Sequence, residues 1–101
     1  MRSEVCDLPV PVPGMIVRSK AGRDCGKLFA IVGVLDPPFV YVADGDIRKI
    51  DKPKRKNLKH VELTGTMSAL LVKKLEDKIR ITNADIRKAI VLYQGDTEGR
   101  L

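Results

Sequence analysis

Aromatic residues are scarce in this chain of 101 residues, which has two Phe, two Tyr and no Trp. Phe29, Phe39, Tyr41 and Tyr93 all lie in apolar-patterned segments, so the sequence assigns them to a core. Tyr41, close to an Asp-Gly turn, is the one ring expected to face out. An exposed aromatic groove of the kind that captures extended peptides is therefore not expected. Cysteine is as rare. Cys6 and Cys25 have no metal-clip spacing, and a domain with an adequate core needs no disulfide, so both read as reduced thiols. His60 is the single histidine, and nothing in the pattern orients a Cys25–His60 nucleophile pair. No apolar run approaches the roughly 20 residues of a membrane helix. Met1 to Val10 carries acids and prolines where a secretory leader carries a cationic start and an apolar stretch, so a cytoplasmic location is expected.

Enzymatic signatures are missing too. Gly22-Arg-Asp-Cys-Gly26-Lys27-Leu28 has the look of a phosphate loop, but the glycine spacing is short and Leu28 stands where a magnesium-holding hydroxyl belongs. Asp44 and Asp46 flank Gly45, yet two carboxylates without further ligands hold calcium poorly, whereas turns favour Asp. With no paired acid and base and no metal spacing, neither catalysis nor a metal nor a cofactor is expected.

What the chain does have is positive charge. Nineteen Lys and Arg face thirteen Asp and Glu, a net charge of +6, and such a field draws polyanions. Hydrophobic residues make up 44% and charged residues 32%, which is the composition of a folded domain rather than of a disordered segment. The length suits one core.

Pro9, Pro11 and Pro13 mark residues 1–13 as an extended arm. Met15 to Val17 reads as a strand, followed by a polar loop from Arg18 to Lys27. Leu28 to Leu35 and Phe39 to Ala43 read as a hairpin turned by Asp36-Pro37-Pro38, and Asp44-Gly45 leads into a short strand, Ile47 to Ile50. Leu58 to Leu63 reads as the closing strand. After Thr66 as N-cap, Met67, Leu70, Leu71 and Leu75 follow helical spacing. Thr82-Asn83-Ala84-Asp85 reads as a capping box before Ile86, Ala89, Ile90 and Tyr93, a second helix that ends before Gly95. The reading is thus a barrel over 14–64, a helical annex over 65–94 and a tail over 95–101.

The stretch from Gly14 through Gly26-Lys27 to Val32 resembles the KOW motif: a strand, a basic loop with a key glycine, and a second strand, with Gly26 at the glycine position. Val42 to Lys49, with its Ala-Asp-Gly turn, and Pro53 to His60 resemble a subgroup, the bacterial KOW-domain RNA-binding proteins similar to certain archaeal and eukaryotic large-subunit ribosomal proteins. The likeness covers roughly residues 14 to 63. It implies an SH3-like five-stranded small barrel, and with the two short α-helices read from apolar spacing the expected fold is mainly β with C-terminal helices. It also implies non-catalytic binding of RNA, ribosomal RNA in particular; ribosomal proteins are further expected partners, and the chain is expected to be monomeric off the ribosome. A transcription-associated KOW module and a barrel that binds an acidic protein are the alternatives. Residues 66–94 fall outside the motif and take no function from it.

Two clusters carry the expected RNA contacts. In the first, Arg18, Lys20, Arg23 and Lys27 grip phosphates while Gly22 and Gly26 let backbone come close. In the second, Arg48, Lys49, Lys52, Lys54, Arg55, Lys56 and Lys59 share their stretch with a single acid, Asp51, and phosphate would relieve their repulsion. Lys54, Arg55 and Lys56 are the foremost phosphate contacts, with Asn57 and His60 as ribose or base contacts.

Overall fold

A computed structural model describes residues 11–98. Most of the proline arm, Cys6 and the final residues lie outside that range. Five strands, β1 (Met15–Ser19), β2 (Leu28–Val34), β3 (Phe39–Ala43), β4 (Lys54–Asn57) and β5 (Val61–Met67), precede two helices, α1 (Ala69–Glu76) and α2 (Asn83–Glu98). The strands form one antiparallel sheet in the order β4-β3-β2-β1-β5. Its two edge strands are joined by a single 3-10 turn, Leu58–His60, and the Lys20 N–H donates to the His60 carbonyl at 2.8 Å. The result is the small barrel-like β domain with C-terminal helices that the sequence implies.

Alternation along the strands divides the apolar residues into two cores. Met15, Val17, Phe29, Ile31, Val40, Val42 and Val61 fill the inside of the curved sheet. Ile16, Leu28, Ala30 and Ala43 point the other way, against Leu71 of α1 and Ile86 and Ala89 of α2. The runs Met15–Val17 and Leu28–Ile31 are unbroken in the sequence because both of their faces are covered. The helices are therefore part of the fold and not an appendage.

Four boundaries differ from the sequence expectation. Ile47–Ile50 is not a strand. Asp44 Oδ1 accepts from the Asp46 and Arg48 N–H groups, both at 2.9 Å, and the Asp44 and Gly45 N–H groups donate to the Arg48 carbonyl, so the turn uses the groups a ladder would need. Ile47 is 72% exposed as a consequence. The fourth strand is instead the basic Lys54–Asn57. Second, Leu58–His60 is a 3-10 turn, and β5 runs on to Met67, past Gly65. Third, Thr66 stays in that strand, so Ser68 caps α1 through Oγ, accepting from the Leu71 N–H at 3.3 Å. Fourth, α2 continues through Gly95 to Glu98, since one glycine costs a helix only about 1 kcal/mol. Its start is as read: the Asp85 N–H donates to Thr82 Oγ1 and the Thr82 N–H donates to Asp85 Oδ2. Lys74 of α1 also reaches Asp85, at 2.8 Å, and its hydrogen bond, with those from Thr82, holds that carboxyl below its usual range.

The Asp-Gly turn is pinned to α2. The Ile50 N–H donates to Asn83 Oδ1 at 2.7 Å, and Arg87 donates to the Gly45 carbonyl. Gly45 has φ +78°, and a Cβ there would run into the Asn83 carbonyl. Gly45→Ala is expected to combine left-handed strain with a displaced helix start and to lower stability by about 2 kcal/mol in urea unfolding. A loss within experimental error would show that the turn and α2 are not rigidly coupled.

Candidate nucleic-acid interface

The first basic loop is a tight structure. The Ser19 N–H donates to the Lys27 carbonyl at 2.9 Å and the Gly26 N–H to the Ser19 carbonyl at 2.8 Å, closing it at its base. Gly26 takes φ +90°, and nothing lies within 4 Å of where a Cβ would project. The glycine therefore serves the backbone path and leaves that side of the loop open.

Asp24 organises what surrounds it. Its Oδ1 accepts from Lys56 Nζ at 3.3 Å and Ser19 Oγ at 3.1 Å, and its Oδ2 accepts from Lys54 Nζ at 3.2 Å. Burial alone would raise this carboxyl, but the hydrogen bonds from Lys54, Lys56 and Ser19, with the Lys56 charge, hold it down to about 2. Both basic segments thus meet at one carboxylate, and the loop is fastened to β4.

The foremost sequence candidates separate sharply in space. Lys56 is turned inward: its side chain is 8% exposed and its ammonium donates to Ser19 Oγ at 3.0 Å, to Asp24 and to the Ala21 carbonyl. That places it among the groups that hold the fold together, where phosphate has no access. Asn57 accepts from the Lys59 N–H at 3.0 Å and caps the 3-10 turn. Arg55 lies on the opposite face of β4 from Lys54 and stacks over Phe39. Arg18 donates to the Gly26 carbonyl at 3.3 Å and faces Glu62 at 3.8 Å. Lys49 donates to the Asp46 carbonyl at 2.7 Å. Lys20, Lys52, Lys59 and His60 are exposed, with Lys20 and His60 neighbours through their backbones.

Arg23, Lys27, Arg48 and Lys54 do come together. They line one groove of about 470 Å³ at an end of the barrel, with Asp24, Phe29, Asp44 and Ile47. Asp24 is occupied by two lysines and Asp44 by two backbone N–H groups. Among the described residues no carboxylate pairs with Arg23, Lys27 or Arg48. Three cations thus stand unneutralised around a concave surface, which is the electrostatic form of a phosphate-binding site. A neighbouring hollow of about 440 Å³ shares Lys27 and Asp44 and adds Arg87 and Gln94 of α2, residues the sequence pattern did not single out.

Two further features were missed. Asp24 carries no sequence signal, because its lysine partners lie 30 and 32 residues away. Tyr41 faces out as expected, at 37% exposure, but Phe39 beside it is only half-buried and belongs to neither core, so it is not the core ring expected of it. Among the described residues no group of three or more His, Cys, Asp or Glu is placed to hold a metal ion.

One curated protein of Bacillus subtilis is 32% identical to this chain over 72 residues, covering 67% of this chain and 97% of the relative. The chain belongs to its family. The relative's name is "Putative ribosome-binding protein YbzG". No protein-family profile matches the chain. The YbzG relationship spans nearly the whole of that smaller protein, so the two share a domain rather than a local motif. No helix among the described residues of this YbzG-family chain is long and apolar enough to cross a membrane.

Proposed function

We propose that this chain is a non-catalytic RNA-binding protein that associates with the ribosome in the cytoplasm, a KOW-type barrel holding ribosomal RNA by its phosphates. The observation that carries the reading is the groove where Arg23, Lys27 and Arg48 converge without a carboxylate partner. Each is held on a loop fixed to the barrel, so little ordering entropy is lost when a phosphate arrives. The ribosome-binding name of the Bacillus subtilis relative points to the same class of partner. Readout by charge on a rigid surface suits structured RNA, whose grooves display phosphates and 2′-hydroxyls more than base edges.

The test is gradient sedimentation of tagged protein from lysate at low and high salt, followed by sequencing of crosslinked RNA. Salt-sensitive recovery with the large subunit and crosslinks to ribosomal RNA are expected. Recovery with RNA polymerase instead would replace the ribosomal reading with a transcriptional one.

A further inference from the structure

The helices cover the outer face of the sheet over β1, β2 and the end of β3, and beyond that cover lie two exposed side chains and a half-buried one. Phe39, Tyr41 and Arg55 share the outward side of β3 and β4, with Tyr41 opposite Arg55 in the ladder. The Arg55 guanidinium carbon stands 4.1 Å from the centre of the Phe39 ring. Tyr41 packs over Gly33, where a Cβ would touch its ring at 3.5 Å, so the glycine leaves room for the ring to lie down on β2. Val34, 48% exposed, completes a shallow groove of about 680 Å³ with Leu35 and Asp36.

A chain with only two Phe and two Tyr thus places half of its aromatic rings on one patch, beside an arginine that already lies over one of them. Flat rings next to a planar cation form the surface on which an unpaired base stacks while its phosphate is neutralised. The position of β4 adds to this. It is an edge strand, and alternation sends Lys54 to the cationic groove and Arg55 to the aromatic patch. One nucleic-acid strand crossing that edge meets both.

We propose that Tyr41, with the Arg55–Phe39 stack, is a stacking site for one unpaired nucleobase of the bound RNA. The proposal rests on the RNA-binding reading and extends it from phosphates to a base. A proline-rich peptide also docks on aromatic grooves, but the Arg55 charge and the basic edge of β4 complement phosphate rather than a neutral chain.

The test compares two RNA probes on the full chain, a hairpin with an unpaired loop and a fully paired duplex of equal length. The wild-type protein is expected to prefer the hairpin. Tyr41→Ala is expected to lower hairpin affinity about tenfold while leaving duplex affinity and the salt slope unchanged. Tyr41→Phe should retain the preference, and Arg55→Gln should reduce it, which guards against a variant that merely misfolds. Salt-dependent binding of both probes with no effect of Tyr41→Ala or Arg55→Gln would overturn the stacking site and leave the phosphate reading standing. Chemical-shift changes at Tyr41 caused by a proline-rich peptide and not by the hairpin would overturn it in favour of a peptide site. Failure of the wild-type chain to bind either probe at low salt would remove the RNA-binding reading itself, and the stacking site with it.

Discussion

Asp24→Ala is expected to destabilise the domain by about 3–5 kcal/mol, as much as truncating a fully buried core side chain. The reason is the charge it leaves behind. The Lys56 side chain is 8% exposed, and without Asp24 its ammonium keeps only the Ser19 hydroxyl and the Ala21 carbonyl. Lys56→Met is expected to cost much less, about 1–2 kcal/mol, because Asp24 retains Lys54 and Ser19 and the methionine fills the space of the lysine stem. The double variant Asp24→Asn with Lys56→Met should recover most of the difference, since neither charge then remains buried. Urea unfolding of the set measures the coupling. A cost for Asp24→Ala below about 1 kcal/mol would mean that water reaches the ammonium and that the network is not structural.

The same carboxyl gives the domain an acid limit. Asp24 titrates at about 2 in the folded chain against an ordinary value of 3.8, so in that range the unfolded state binds more protons. The stabilisation is complete above about pH 4 and is lost as pH falls through 2. It amounts to about 2 kcal/mol. Stability of the wild-type chain should therefore fall along that limb, and Asp24→Asn should lack it.

Much of the architecture was legible in the sequence because it rests on local signals. β1 to β3, both helices, the Asp44-Gly45 reversal and the Thr82–Asp85 capping box follow from apolar period and turn chemistry within a few residues. β4 was hidden for the opposite reason. Lys-Arg-Lys-Asn offers no apolar alternation, because its inward positions are lysines whose charge is answered by a carboxylate 30 and 32 residues earlier. Nothing local announces that pairing. The site was legible as charge clusters but not in its division. Of three adjacent cations, Lys54 faces the groove, Arg55 stacks on Phe39 and Lys56 is buried, and only the register of an unrecognised strand could separate them. Phe39 read as core because its strand is apolar throughout, while the helices that would bury that outer face cover Ala43 and stop short of it.

Replacing Arg23, Lys27 and Arg48 together with Gln is expected to weaken RNA binding on the order of a hundredfold at 0.1 M salt. Each phosphate contact on a duplex contributes about 0.9 to the slope of log affinity against log salt, so loss of three should flatten that slope by about 2 to 3. Stability should hold or rise slightly, because these cations pair with no carboxylate among the described residues and their mutual repulsion is removed. Charge reversal at Lys54 and Lys56, the choice that the basic run itself suggests, cannot make this test. A glutamate at position 56 would bury a second carboxylate against Asp24 and unfold the chain, so lost binding would report lost structure. The Gln triple variant separates the two effects: weaker binding with an unchanged melting curve places the phosphates in this groove. If affinity and salt slope both survive the three substitutions, the RNA contacts must be sought at Lys20 and at Lys59 and His60 of the adjoining 3-10 turn.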